Sequence, residues 1–236
     1  MKRVLALLLF PVLLSAQAAK EVEISAEPHH HEILSNDQVR VYDVTVPPHD
    51  ATLMHWHRHD YALVFIGESK VINDVKGKPP ATLTFHDGEV LFSPAPFAHL
   101  ARNLAETPFR NIAVEFLQDD QLRKLPVPKE DDARGLEILQ GGTQQILWIK
   151  DGVRASLYEM QPSGIIPPRD FAGPLLIIAL DNCALRSGMH SKHPAAFTLQ
   201  TGDAKWLPDN FNQPMTNASE APARFIALDF PPAAAH

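Results

Sequence analysis

Gly88-Glu89-Val90-Leu91-Phe92-Ser93-Pro94, running on through His99 to Asn103, has a partner further along the chain. That partner is Gly202-Asp203-Ala204-Lys205-Trp206-Leu207-Pro208, running on through Gln213 to Asn217. The offset is 114 residues, and it extends without a gap in both directions. Upstream it superposes Val39-Arg40 on Val153-Arg154, Pro48 on Pro162 and Pro80-Ala81 on Pro194-Ala195. Downstream it superposes Pro108 on Pro222, Arg110 on Arg224, Ile112-Ala113 on Ile226-Ala227 and Glu115-Phe116 on Asp229-Phe230. One register kept through turns and strands alike identifies two copies of one domain.

Each copy reads as β-structure. Tyr61 to Ile66 is a short apolar run stopped by Gly67-Glu68, and Thr82-Leu83-Thr84-Phe85 alternates with period two. Ile112, Val114 and Phe116 alternate with Ala113 and Glu115. Short strands broken at regular intervals by Gly, Pro, Asn or Asp predict an all-β sandwich or jelly-roll barrel. The expected division is a leader over 1–18, a first barrel over 19–116 and a linker over 117–142. A second barrel follows over 143–231, with a frayed tail over 232–236. The charged linker predicts a short helix around Asp119 to Arg123 and an end at Gly141-Gly142.

Lys2 and Arg3, the eleven apolar residues Val4 to Leu14 and the small-x-small site Ala16-Gln17-Ala18 predict a cleaved secretory signal. Eleven residues at ~1.5 Å rise cover about half of a ~30 Å bilayer core, so no stable membrane insertion is expected after cleavage. The expected location is therefore periplasmic or secreted. Loss of Lys2 and Arg3 takes the formal charge from −7 to −9, which together with the lack of a basic run excludes nucleic acid as a natural partner. Cys183 is the only cysteine, so no intrachain disulfide forms. Inside an apolar strand it reads as a small buried hydrophobe.

The twelve histidines carry the chemistry. His55 and His57 of His55-Trp56-His57-Arg58-His59-Asp60 stand two apart at the start of a strand, so both imidazoles point to one face. His99, after a Gly/Pro turn, could bring a third imidazole, with a carboxylate as fourth ligand. Such a set suits one divalent transition metal: Fe, Mn, Ni or Zn. His29-His30-His31 reads first as a flexible or sheet-edge arm and second as a metal-scavenging tract. His190 and His193 read as exposed loop residues.

These residues resemble the cupins. Gly88, Pro94, His99 and Asn103 match the family's G-x5-P-x-G-x2-H-x3-N motif at every spacing, with Pro96 replacing the inner glycine, and His55 and His57 match the histidine pair of its first motif. The resemblance implies two tandem cupin-type jelly-roll β-barrels, a bicupin, with a mononuclear metal inside the first. It also implies departures. The family's glutamate follows the second histidine after three or four residues, which here gives Tyr61 or Ala62. Asp60 is the acidic candidate for fourth ligand, and His59 is its rival. On a straight strand at ~3.3 Å per residue, however, His59 stands about 13 Å from His55.

In the second copy the offset replaces His55 by Arg169, His57 by Phe171, Asp60 by Pro174 and His99 by Gln213, so that barrel is expected to be degenerate and metal-free. The activities the resemblance implies are those of dioxygenases, decarboxylases and isomerases on a small organic substrate. Asp60 would be ligand or base, and Tyr61 or His59 a proton shuttle. The competing expectation is a non-catalytic bicupin that holds a small molecule or sugar. A homodimer is compatible with the sequence.

Overall fold

The structure is a computed structural model that describes residues 21–124, 135–168, 173–187, 196–208 and 213–232. The predicted leader, the positions Arg169 and Phe171, and His190 and His193 lie outside the described residues.

In the first half the strands are β1 (Val22–Glu23), β2 (His30–Ser35), β3 (Val39–Val46), β4 (His55–His57) and β5 (Tyr61–Ile66). They continue with β6 (Ser69–Val75), β7 (Ala81–Phe85), β8 (Val90–Ser93), β9 (Phe97–Asn103) and β10 (Phe109–Phe116). They form two five-stranded sheets, ordered β1-β4-β9-β6-β7 and β2-β3-β10-β5-β8. Facing one another, these sheets make a jelly-roll barrel. The turn that opens the repeated motif needs glycine: Gly88 and its counterpart Gly202 have φ of +77° and +89°.

The helix α1 (Asp119–Leu122) falls where the linker composition predicts one. Residues 135–142, read from sequence as linker, instead belong to β11 (Gly135–Lys150), which pairs antiparallel with β12 (Val153–Ile166). Gly141 and Gly142 lie at a bulge inside this pair. A Cβ at Gly142 would stand 2.4 Å from the Glu159 carbonyl oxygen, so this glycine permits a close approach of two strands.

The second half continues with β13 (Leu175–Ala179), β14 (Cys183–Ser187), β15 (Ala196–Leu199), β16 (Ala204–Leu207), β17 (Met215–Asn217) and β18 (Ala223–Asp229). These join β12 in one sheet, ordered β15-β14-β17-β12-β18-β13-β16. Among the described residues no helix is long and apolar enough to cross a membrane.

The halves meet back to back, and the repeat explains how. One buried cluster contains Val39 with Val153, Val41 with Ala155, Ala62 with Leu176 and Val64 with Ile178. It also contains Ile112 with Ile226, Val114 with Leu228 and Phe116 with Phe230, each pair separated by the repeat offset. Period-two alternation then assigns the other face of each strand. On β5, Ala62 and Val64 go to the shared cluster, while Tyr61, Leu63 and Phe65 line the interior of the first barrel. A strand buried on both faces must be apolar throughout, which accounts for the uninterrupted run from Tyr61 to Ile66. Trp148 Nε1–H donates across the contact to the Val90 carbonyl (3.2 Å), and Arg224 bridges Asp87 (2.8 Å) and Asp181 (2.9 Å).

Candidate metal centre

His55 and His57 are both inward on β4, while Trp56 between them faces out, with the Arg58 guanidinium 4.4 Å above its ring. Antiparallel pairing sets His99 of β9 directly opposite His55. Sequence spacing and sheet register together therefore bring three imidazoles to one place. His57 Nε2 lies 3.2 Å from His55 Nε2 and 3.2 Å from His99 Nε2. The three ligand atoms all lie within 4.8 Å of one another.

Hydrogen bonds at the far ring nitrogens decide what these atoms offer. His55 Nδ1–H donates to the Leu53 carbonyl (2.8 Å), and His99 Nδ1–H donates to Asn73 Oδ1 on β6 (2.7 Å). Each such bond leaves a lone pair on Nε2. Converging lone pairs repel unless a cation takes them. Two nitrogens on one ion at ~2.1 Å stand about 3.0 Å apart at octahedral angles and about 3.4 Å apart at tetrahedral ones, so the observed spacing fits a shared divalent metal. Burial, reinforced by the neighbouring imidazoles, holds His57 and His99 well below the ordinary histidine range and lowers His55 to about 4. All three are therefore neutral imidazoles at neutral pH; those of His55 and His99 present an Nε2 lone pair, while His57 Nδ1 has no hydrogen-bond partner within the protein.

The structure does not bring Asp60 or His59 to this group. Asp60 accepts a side-on pair from Arg123, Nε to Oδ2 at 2.9 Å and Nη2 to Oδ1 at 2.6 Å, and Oδ1 also accepts the Ala95 backbone N–H at 2.7 Å. Its carboxylate is thereby committed to holding Arg123, just past α1, and the loop before β9. His59 Nδ1 faces Asp119 Oδ1 at 3.3 Å, and neither His59 nor Asp60 is on the cavity wall. Asp60→Asn is expected to lower the unfolding free energy by about 2 kcal/mol while leaving metal content unchanged. Urea unfolding and elemental analysis of the variant check this, and a lost metal would return Asp60 to the ligand set.

Tyr61 stacks on the His57 ring (centroids 4.1 Å, 12° between planes). Phe97 also stacks on His57, at 5.2 Å. Burial raises the Tyr61 phenol far above its usual range. Tyr61 therefore stays protonated, positions the imidazole and keeps water off it.

Sequence reasoning missed two groups. The arm predicted at His29 to His31 is the sheet-edge strand β2, but the His30 side chain turns inward, ring centroid 4.6 Å from that of His55. There it pairs with Glu27, which is 2% exposed and held below the ordinary carboxylate range by His30 and by the Leu53 and His29 backbone N–H groups, against its own burial. The signal was a glutamate three residues before a histidine, unremarkable without the fold. Asn111, on the inward face of β10, is the other. In the second half the described interior is filled by apolar side chains such as Tyr158, Met160, Leu185 and Phe225, and Gln213 is exposed. Cys183 is buried there, its thiol pushed up to about 11 by burial.

No family model matches the chain, and no curated protein matches its sequence. Solved structures do match. The Lactobacillus farciminis oxalate decarboxylase formate complex superposes with a TM-score of 0.60 at 13% identity, covering 84% of this chain and 78% of that one. The chain has a cupin-type jelly-roll fold. A single-substitution variant of Bacillus subtilis oxalate decarboxylase gives 0.60 at 13% identity over 83% of this chain and 70% of that one. A structure from a study of the Mn(II) centres of the Bacillus subtilis enzyme gives 0.59 at 12% identity over 85% and 71%. At such identities the likeness establishes the cupin fold, and the chemistry has to be read from this chain's own residues.

Proposed function

We propose that this chain is an exported cupin-type protein that binds one divalent transition metal through His55, His57 and His99 and acts as an oxygenase on a small organic molecule. The observation that carries the reading is the convergence of three neutral imidazoles on a cavity of about 380 Å³. Three protein ligands leave coordination positions free on the cavity side. The leader-like residues 1–18 support export, and the apolar filling of the second interior supports a barrel that acts as scaffold.

A bound redox-active divalent metal would supply Lewis acidity and an electron-transfer partner for dioxygen. The protein's residues do the rest. Leu53 and Asn73 fix the tautomers of His55 and His99, and the rings of Tyr61 and Phe97 fix His57. The aromatic wall excludes water from the reacting molecule. His30, oriented by Glu27, stands beside His55 on the cavity wall, where it can exchange a hydrogen bond with a substrate hydroxyl. A second reading, a non-catalytic small-molecule carrier, is favoured by one feature: among the described residues no carboxylate lies on the cavity wall beside the three imidazoles.

Protein recovered from the periplasm is expected to begin after Ala18 and to carry about one transition metal per chain by elemental analysis. Absence of metal even after refolding with Fe(II), Mn(II), Ni(II) and Zn(II) would end the proposal. Oxygen uptake with enols and phenols distinguishes oxygenase from carrier, since a carrier retains ligand without consuming oxygen.

A further inference from the structure

The Glu27 side chain has no exposed surface, and both of its oxygens accept hydrogen bonds. Oε1 takes the Leu53 backbone N–H at 3.1 Å, while Oε2 takes that of His29 at 2.8 Å and faces His30 Nδ1. Acceptance at both oxygens marks an ionised carboxylate. Among the described residues no Lys or Arg pairs with it, and His30 is its one titratable partner. Burying a carboxylate without a matching cation is unfavourable, so its place in the fold calls for positive charge nearby.

The surroundings show where that charge would be. His30 holds Glu27 on one side and meets the His55 ring edge-on on the other, with centroids 4.6 Å apart. Leu53, whose N–H Glu27 accepts, gives its own carbonyl to His55 Nδ1 at 2.8 Å. Two routes thus run from the carboxylate to the imidazole cluster. Against the burial that lowers the His55 ring, the Glu27 charge acts in the opposite sense. A cation on three neutral imidazoles keeps its full charge, since no carboxylate lines the cavity, and Glu27 stands just behind that wall.

The repeat supports the coupling. At the offset of 114 residues Glu27 becomes Gly141, His30 becomes Gln144, and Leu53 becomes Pro167, which has no N–H to give. The strands keep this register, since His30 pairs with Val44 and Gln144 with Tyr158. The half in which Gln213 replaces His99 therefore also lacks the carboxylate and its holders.

We infer that Glu27 is the counter-charge of the metal centre, a positioning residue that favours a divalent cation at His55, His57 and His99 without touching it. The inference rests on the metal-centre reading above. Coulomb energy scales with the charge of the ion, so Glu27 favours Zn(II) over Cu(I), which imidazoles also accept. The test is competition of the full chain with a chromophoric chelator for each ion, in mildly alkaline buffer and, for Cu(I), without oxygen. Glu27→Gln is expected to weaken Zn(II) about 30-fold and Cu(I) about fivefold. Asn73→Ala, which disturbs His99 without a change of charge, sets the ratio that a purely geometric defect produces. His30→Gln installs the second half's own residue and leaves Glu27 charged, so Zn(II) should stay within about threefold of wild type.

A Glu27→Gln ratio no larger than that of Asn73→Ala would overturn the inference. So would a His30→Gln loss beyond about tenfold, which would make His30 itself the partner of the metal. That variant decides even where Glu27→Gln does not fold. A wild-type chain that binds neither ion overturns the metal-centre reading as well, and shows it before any variant is made.

Discussion

His57→Ala is expected to weaken metal binding by about 100- to 1,000-fold. Structural zinc sites with four ligands bind with roughly 10–16 kcal/mol, so one ligand carries about 3–4 kcal/mol, or two to three powers of ten. His57 is the strongest choice because its Nε2 is the atom that lies 3.2 Å from both other ligand nitrogens. Competition with a chromophoric chelator measures the affinity. Asn73→Ala, which removes the acceptor that orients His99, should cost a further-removed 10- to 100-fold. The ordering of the two losses is itself informative, because a nonspecific surface site would respond to neither. A His57→Ala dissociation constant within tenfold of wild type would remove the metal centre from this position.

Phe116→Ala is expected to lower the unfolding free energy by about 3–5 kcal/mol. Phe116 is 1% exposed, and its ring meets that of Phe230 edge-on at 5.5 Å, so truncation opens a void in the contact between the halves. Because that contact is shared, both halves should lose stability together. Tryptophan fluorescence reports this directly, since Trp56 belongs to the first half and Trp148 and Trp206 pack against the shared cluster from the second. Denaturant midpoints of single-tryptophan variants should move in step. A loss below about 1 kcal/mol, or a shift confined to Trp56, would mean that the halves are energetically independent.

The parts of this molecule legible in the sequence are those governed by short-range rules. The repeat offset revealed the doubled scaffold, and period two placed His55 and His57 on one face. The motif spacing located His99, and strand pairing then delivered it opposite His55. Asp60 was proposed as a ligand because it is near in sequence, but it is held by Arg123, 63 residues away. Glu27 and His30 pair locally, three residues apart, but their arrival against His55 is a tertiary contact that no local pattern encodes. β11 was hidden by Gly141-Gly142, which normally ends a strand and here relieves a crossing of backbones. Asn111 is a single polar residue among apolar neighbours in the sequence, and only the folded interior shows that its oxygen has no partner within the protein.

The pairing of like positions across the molecular middle also has a consequence for descent. Each half is the other's foundation, through residues that take no part in ligand chemistry. Among the described residues, one half packs its interior with side chains such as Tyr158 and Phe225, while the other lines a chamber. Divergence inside the barrels did not have to disturb the seam that joins them.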